Sequence, residues 1–224
     1  DSAEARALAV EYQADFAIER PEQFAGPNSP DVEWLNHAVE QLTSITFNVL
    51  GKRSERFTID AFAIIRPTSP FRRGPWIRKA WDILQACPRA DSIRAVRPCR
   101  EHPAKMWRYA GDDGSGGYMS PVMTGIGYEA PWHSMPTQLL PRVFTQTAAL
   151  EIAWTRVLPG SISGQMVLPY YTEADAPEAV DINDELDFER AEFMAQMHPE
   201  WLPPVRRNGD PLPAPVAEFG TDWG

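Results

Sequence analysis

Apolar residues recur at helical spacing in four stretches of the chain. Between residues 31 and 50, for example, Val32, Leu35 and Val39 fall on one side of a helix. Ser, Asp and Asn residues lie where they can accept hydrogen bonds from the first N–H groups of such helices. The pattern predicts helices over residues 2–14, 31–50, 75–86 and 184–197. We expect Asp1 or Ser2 to cap the first helix and Asn183 or Asp184 to cap the last one.

Five shorter runs, rich in β-branched and aromatic residues, predict strands. They cover residues 16–18, 57–65, 92–96, 150–154 and 167–171. The run at 57–65 lacks a clean alternation of polar and apolar residues, which is typical of a strand buried on both faces. Pro169 has no N–H to donate to a neighbouring strand, so the last run is predicted to lie at a sheet edge.

The alternation of strands with helices predicts an α/β fold, with a mostly parallel mixed sheet flanked by helices. Residues 100–142 interrupt this alternation with glycines and large apolar side chains, and we interpret them as a hairpin-like, protruding arm around residues 111–114. Prolines crowd the chain after His198. We therefore predict one domain over residues 1–198 and a proline-rich tail over residues 199–224.

Charge and cysteine content narrow the class of protein. The chain has 21 Lys and Arg against 31 Asp and Glu, a formal net charge of -10. Such an acidic chain is poorly suited to nucleic acids or anionic membranes, and no apolar run approaches the roughly 20 residues of a membrane span. Two cysteines are too few for a disulfide framework or a cysteine zinc site, and they favour a reducing, cytoplasmic compartment.

A polar loop, Arg66 to Arg73, follows the strand predicted at 57–65. It places the hydroxyls of Thr68 and Ser69 and three arginines before a helix N-terminus, an arrangement suited to a phosphate or carboxylate. Ligands of open α/β sheets bind at the carboxyl ends of strands. The same residues also fit a rigid proline turn with a capping serine and solvated arginines, and the pattern alone favours this second interpretation.

Asp181 and Asn183 precede the last predicted helix. They are two residues apart in an extended segment, so both side chains point to the same face. Oxygen ligands of this kind suit Mg²⁺. The alternative, favoured by the pattern alone, is ordinary helix capping with further acids in the first turn.

Lys105 and His102 lie in the predicted arm. Lys105 is surrounded by apolar and aromatic residues, where it either holds an anionic substrate or lies in solvent over a Trp ring. His102 has no second metal ligand at a suitable spacing, so a capping or core histidine is the better interpretation.

Four motifs, taken in chain order, resemble the acylneuraminate cytidylyltransferase family (CMP-sialic acid synthetases and their relatives). The resemblance spans about residues 1–197. The motifs are Asp1-Ser2 with Arg20-Pro21-Glu22, the segment IRPTSPFR at 65–72, the strand 93–96 followed by HPAK at 102–105, and DINDELD at 181–187.

The resemblance implies a nucleotide-diphospho-sugar transferase (Rossmann-like) fold and a homodimer formed through the 100–142 arm. It also implies transfer of CMP from CTP to an acidic, nonulosonic sugar, with release of pyrophosphate. By position, Asp181 is the catalytic residue and binds Mg²⁺ together with Asn183. The same resemblance assigns nucleotide binding to Arg20, Thr68 and Ser69, and substrate binding to Arg66, Arg72 and Lys105.

The chain departs from the family pattern at several of these positions. Asn183 replaces a second metal-binding Asp and Arg66 replaces a Gln, while Thr147-Ala148 and Thr137 stand where the family has Asn-Gly and a sugar-binding Arg. We expect weaker Mg²⁺ binding and a different sugar pocket. The sequence also begins after the family's first strand and glycine loop, so we expect a truncated or split enzyme that binds CTP weakly as it stands.

Two other functions stay open. One is a sugar-1-phosphate nucleotidyltransferase that uses a different base. The other is a non-catalytic, degenerate relative that acts as a dimerisation or scaffold subunit, for which we expect no Mg²⁺-dependent ligand binding.

Overall fold

A computed structural model describes residues 2–44, 46–47, 55–56, 58–109, 111, 116–123, 131–172 and 176–205. The described chain divides into two compact units, which are treated separately below. The first comprises residues 1–60, 157–162 and 204–224, and the second comprises residues 61–156 and 163–203. Residues 206–224, most of the predicted tail, lie outside the described residues, and the predicted domain boundary stays a prediction.

The four predicted helices are present, three of them shorter than predicted and the third in chain order of the predicted length but shifted by one residue. They are α1 (Ala3–Glu11), α2 (Asp31–Ser44), α3 (Gly74–Gln85) and α4 (Glu185–Met197). The Ser2 hydroxyl caps α1 by accepting from the N–H of Ala5 at 3.1 Å, and the Asp184 carboxylate caps α4. The predicted extension of α2 to residue 50 is wrong, because the helix ends at Ser44 and a strand begins at Thr46.

The strands form a four-stranded sheet and two small ladders. The sheet contains β3 (Ala61–Ile64), β4 (Ser92–Pro98), β7 (Phe144–Trp154) and β8 (Val167–Tyr171). The ladders pair β1 (Thr46–Phe47) with β2 (Glu55–Arg56) and β5 (Trp107–Tyr109) with β6 (Met119–Pro121). Residues 16–18, predicted as a strand, are irregular.

The chain is thus α/β with a mixed sheet flanked by helices, but the predicted predominance of parallel pairs is wrong. The strand order is β3-β7-β4-β8, and only β4 and β8 pair in parallel. The strands β3, β4 and β8 run in one direction, and β7 runs in the other direction between β3 and β4. The physical reason is that the arm connects β4 to β7, and its described residues contain no crossover helix, so the chain can return antiparallel.

The core of the second unit lies between α3 and the middle of the sheet. Ala80 and Leu84 of α3 are completely buried, and they pack with Ile93 of β4 and with Leu150 and Ile152 of β7. Replacing such a buried leucine with alanine costs about 2–5 kcal/mol. This packing fixes the central strands, and thereby the positions of the loops that leave their ends.

Two predictions concern the edges of the sheet. β8 is an edge strand, as Pro169 predicts. β3 is also an edge strand with mostly half-buried residues, so the prediction that it is buried on both faces is wrong. Its weak alternation reflects an edge position in a short strand, which the apolar pattern alone does not distinguish from a central one.

The predicted arm contains a β-hairpin. Trp107, Arg108 and Tyr109 of β5 pair antiparallel with residues 119–121 of β6, while residues 112–115 of the intervening turn are outside the described residues. The arm also includes short 3₁₀ helices at Pro103–Lys105, Trp132–Ser134 and Thr137–Leu139. No helix within the described ranges is long and apolar enough to cross a membrane.

Candidate functional site

The two polar loops singled out in the sequence meet at one edge of the sheet. Because β3, β4 and β8 run in the same direction, their carboxyl ends lie at the same edge. The loop after β3 carries Thr68, and the segment after β8 leads to Asp181 and Asn183. The main-chain N–H of Ile182 donates a 2.9 Å hydrogen bond to the carbonyl oxygen of Thr68. This bond brings the hydroxyl loop directly against the proposed metal-binding pair.

Two adjoining clefts open at this edge, both within the second unit. The first, called here the Thr68 cleft, has a volume of about 440 Å³ and is lined by Arg66, Thr68 and Glu151 among others. The second, called the Arg190 cleft, has a volume of about 340 Å³ and is lined by Arg97, Arg100 and Arg190 among others. The residues common to both clefts are Gln146, Thr147, Asp181 and Asn183.

The segment before α4 contains carboxylates that take part in helix capping and one, that of Asp181, that does not. Asp184 accepts from the N–H of Asp187 at 2.9 Å, and Asp187 in turn accepts from the N–H of Asn183 at 3.0 Å. The capping interpretation is therefore correct for Asp184 and Asp187. The Asp181 carboxylate makes no hydrogen bond or ion pair with any described residue, and the Asn183 amide nitrogen donates to the Asp181 carbonyl oxygen at 3.3 Å.

The side-chain oxygens of Asp181 and Asn183 are of the kind that Mg²⁺ prefers. The Asp181 carboxylate and the Asn183 side-chain oxygen are hard ligands, and both residues line both clefts. Among the described residues there is no group of three His, Cys, Asp or Glu side chains that could hold a metal. Mg²⁺ is commonly held by one or two carboxylates, with water and substrate phosphates completing the shell. As two oxygen ligands, the pair would need water and substrate phosphates to complete a Mg²⁺ shell.

Glu151 forms a buried ionic network in the wall of the Thr68 cleft. Its side chain, in the middle of β7, is 7% exposed and accepts from Arg66 at 3.1 Å and from Arg94 at 2.7 Å. Arg94 also donates to the side-chain oxygen of Gln146 at 2.8 Å. Arg66, predicted to bind substrate, therefore lines the cleft with part of its charge already balanced by Glu151.

Arg72 is bound to the main chain of the sheet. Its guanidinium donates to the carbonyl oxygens of Ala149, of Ala148 at 3.1 Å and of Arg66 at 2.9 Å. Burial lowers the pKa of Arg72 from its ordinary value. These contacts attach the loop to β7, and Arg72 is not among the residues that line the two clefts. Its predicted substrate-binding role stays a prediction.

Ser69 and Arg20 complete the predicted nucleotide-binding set. Ser69 is buried, and its hydroxyl has no hydrogen-bond partner within the part of the chain that the structure describes. Arg20 belongs to the first unit, where its guanidinium lies 5.5 Å from the centre of the Trp34 ring.

Lys105 and His102 are both engaged within the arm. The Lys105 ammonium donates to the carbonyl oxygens of Met135 and, at 2.9 Å, of His133, and Lys105 lines neither cleft. His102 is buried and caps the 3₁₀ helix that follows it, accepting from the N–H of Ala104 at Nδ1 while Nε2 contacts the Pro141 carbonyl oxygen at 2.8 Å. The prediction of a capping or core histidine is confirmed.

Three residues of these clefts, Glu151, Arg97 and Arg190, are absent from the sequence-based prediction. Glu151 carries a usable signal, since it is the one charged residue in the run 150–154, predicted as a strand. Arg190 follows Asp187 by three residues, which places the two on the same side of a helix. Arg97 lies just beyond the predicted end of its strand, so its position on the cleft depends on the observed extension of β4 to Pro98.

No protein-family model matches this chain. Functional inference therefore rests on the residues at the sheet edge and on the chemistry they can support.

Proposed function

We propose that this protein is a nucleotidyltransferase that transfers CMP from CTP to an acidic, nonulosonic sugar and releases pyrophosphate. The observation that carries the proposal is the meeting of the Thr68 loop with Asp181 and Asn183 at the carboxyl edge of three strands that run in the same direction. This is the edge at which nucleotide ligands bind in open α/β sheets. The arrangement supports a Rossmann-like nucleotide-diphospho-sugar transferase fold.

In the proposed reaction the anomeric oxygen of the sugar forms a bond to the α-phosphorus of CTP. The bond from that phosphorus to the bridging oxygen breaks, pyrophosphate leaves, and the hydroxyl proton is released. Asp181 and Asn183 would hold Mg²⁺, which when bound supplies positive charge against the phosphate oxygens. Thr68 lies beside the pair through the Ile182 hydrogen bond and is placed to orient a phosphate or hydroxyl group.

Glu151 has a positioning role in this proposal. Its carboxylate accepts from the Arg66 side chain at 3.1 Å, and Arg66 lines the Thr68 cleft. An arginine already held in place loses less side-chain entropy when an anion binds.

We further propose that the protein is cytoplasmic. We also propose that the hairpin of β5 and β6 forms a homodimer contact, because Tyr109 and Met119 are exposed there.

A specific observation favours one alternative, a non-catalytic relative that acts as a dimerisation or scaffold subunit. Arg66, Arg72 and Lys105, the three residues predicted to bind the sugar, each make contacts inside the protein. A subunit without substrate would keep such contacts permanently. A sugar-1-phosphate nucleotidyltransferase with another base is distinguished from the main proposal by its nucleotide.

The test is an assay of pyrophosphate release by the complete protein with Mg²⁺. CTP, UTP and ATP are each combined with N-acetylneuraminic acid, other nonulosonic acids and neutral sugar-1-phosphates. Release with CTP and a nonulosonic acid, abolished in Asp181→Ala, is the expected result. Release only with a sugar-1-phosphate supports the other enzyme. No release with any pair, together with no Mg²⁺-dependent thermal shift by CTP, supports the non-catalytic subunit.

A further inference from the structure

The Arg190 cleft brings together cations from separate parts of the chain. Arg97 comes from β4, Arg100 lies just past its end, and Arg190 projects from α4. They share the cleft with the Asp181 and Asp187 carboxylates. The cleft lining therefore carries three guanidinium groups against two carboxylates.

Arg97 and Arg190 differ from the other arginines of this sheet edge in their partners. Arg66 and Arg94 are ion-paired with Glu151, and Arg72 is bound to three carbonyl oxygens. Arg97 and Arg190, by contrast, make no hydrogen bond or ion pair with any residue that the structure describes. Two guanidinium groups therefore line the cleft without a counter-charge among the described residues.

A third observation comes from the wall that the two clefts share. The Thr147 hydroxyl is buried from solvent and has no hydrogen-bond partner among the described residues. Buried polar groups of folded proteins are normally paired, so an unpaired one at a cleft wall needs an explanation. The wall that the two clefts share thus contains a polar group without a partner among the described residues.

We propose that the Arg190 cleft is a binding site for an oxyanion, a carboxylate or a phosphate, held by Arg97 and Arg190. The planar guanidinium presents paired donors that match both anions, which is why arginine is favoured for their recognition. As a substrate subsite, the inference rests on the proposed function. The ligand is then either the carboxylate of the acidic sugar or a phosphate of the nucleotide, and either would lie next to Asp181 and Asn183, which line the same cleft.

The residues proposed here to bind the acidic group differ from Lys105 and Arg72, which the sequence predicts to bind substrate. Lys105 donates to carbonyl oxygens of the arm and lines neither cleft, and Arg72 attaches its loop to β7. In this proposal, Arg97 of β4 and Arg190 of α4 bind the anion instead of Lys105 and Arg72.

The test is isothermal titration calorimetry of the complete protein, with EDTA present so that bound metal does not contribute. The probes are N-acetylneuraminic acid, its uncharged methyl ester and inorganic pyrophosphate. The variants are Arg97→Gln and Arg190→Gln, with Arg89→Gln as the matched control. Arg89 is exposed and lies in the loop before β4, at the opposite end of that strand from Arg97.

We expect Arg97→Gln and Arg190→Gln each to weaken binding of one anion by about tenfold, as for the loss of a hydrogen bond between charged groups. Arg89→Gln should bind as the wild type does. A loss confined to N-acetylneuraminic acid, with no binding of the ester, identifies the sugar carboxylate, and a loss confined to pyrophosphate identifies the nucleotide phosphates. Arg97→Lys, which keeps the charge, checks that any loss is not unfolding.

The inference is overturned if no probe binds the wild type, or if the cleft variants bind as Arg89→Gln does. Its failure is distinguishable from failure of the proposed function, because binding is measured without turnover. Pyrophosphate release with unchanged affinity in Arg97→Gln and Arg190→Gln would keep the nucleotidyltransferase and remove this subsite. Arginine-dependent binding without pyrophosphate release would keep the anion site and remove the reaction.

Discussion

The N–H of Ile182 and the carbonyl oxygen of Thr68 are joined by a 2.9 Å hydrogen bond that links the loops after β3 and β8. Both partners are main-chain groups, so the side chains of Thr68, Asp181 and Asn183 take no part in this contact. Asp181 and Asn183 flank Ile182 and line both clefts. The bond thus positions the proposed metal-binding pair against Thr68 while the Asp181 carboxylate stays available.

The first prediction separates two neighbouring carboxylates by function. Asp181→Ala should reduce CMP transfer by at least about 100-fold, because metal-ion charge stabilisation is worth several kcal/mol. Its melting temperature should stay within about 2 °C of the wild type, since the carboxylate makes no contact with a described residue. Pyrophosphate release and differential scanning calorimetry on the same preparations measure the two quantities.

The matched control is Asp184→Ala, three residues further along the chain. This substitution removes the N-cap of α4, which costs about 1 kcal/mol of stability, and should leave the activity per folded molecule unchanged. Full activity in Asp181→Ala would eliminate the metal-binding role of that residue.

The second prediction concerns the Glu151 network. Glu151→Gln leaves Arg66 and the mostly buried Arg94 without their shared counter-charge. Removing one partner of a buried ion pair costs about 3–5 kcal/mol, and the exposure of Arg66 places our expectation near 3 kcal/mol. Urea denaturation measures the change in the free energy of unfolding.

A double-mutant cycle isolates the Arg66 contribution. Arg66→Gln combined with Glu151→Gln should show a coupling of about 1–2 kcal/mol between the two positions, because they are in direct contact. Additive effects of the two substitutions would mean that the contact does not stabilise the loop.

Local signals in the sequence predict the helices, the caps and the edge position of β8. The Ser2 and Asp184 caps and the effect of Pro169 depend on residues close to one another in the chain. Each is governed by a backbone hydrogen bond made or lost nearby. Such features do not depend on how the sheet is assembled, so they can be predicted without knowing its topology.

The sheet topology and the partners of the arginines could not be predicted in the same way. The reversed strand β7 comes to lie between β3 and β4 through contacts far apart in sequence, such as Ile64 with Glu151. Arg66 and Arg72 are drawn inward by groups near position 150, about 80 residues away. A loop rich in arginines looks the same in the sequence whether its charges face a ligand or the protein itself.

The third prediction tests a close approach at Gly164. A Cβ added there would lie 2.4 Å from the Cβ of Asp91, and the residue has a φ of +68°. Gly164→Ala should therefore destabilise the protein by about 1–3 kcal/mol. Gly160→Ala is the control, because its added Cβ would meet nothing closer than 3.9 Å and should be nearly neutral. Equal urea midpoints for the two variants would contradict the expected strain.

The fourth prediction is a pH dependence that originates at Asp91. Hydrogen bonds from the N–H groups of Met166 and Gln165 hold the pKa of Asp91 below its ordinary value of 3.8, with a smaller contribution from Arg156. The folded state thus favours the ionised form, and the resulting stabilisation is complete at neutral pH. It is lost as the pH falls through the lowered pKa.

Asp91→Asn should consequently be less stable than the wild type at pH 7, with a difference that shrinks below about pH 4. Denaturation curves collected across this range measure the difference. Asp82→Asn, on the exposed side of α3, is the matched control for the removal of one surface carboxylate. A difference for Asp91→Asn that stays constant down to pH 2 would contradict the assigned cause.

The fifth prediction concerns the proposed dimer contact on the β5–β6 hairpin. Tyr109 and Met119 are cross-strand partners and are 65% and 61% exposed, so together they present an apolar surface. We expect Tyr109→Asp combined with Met119→Asp to convert a dimer to a monomer, as measured by light scattering after gel filtration, because each buried charge would lack a partner. Leu186→Asp on α4 changes a residue that is 72% exposed and should leave the dimer intact. A wild-type monomer, or a dimer that survives the hairpin substitutions, would remove the hairpin from the interface.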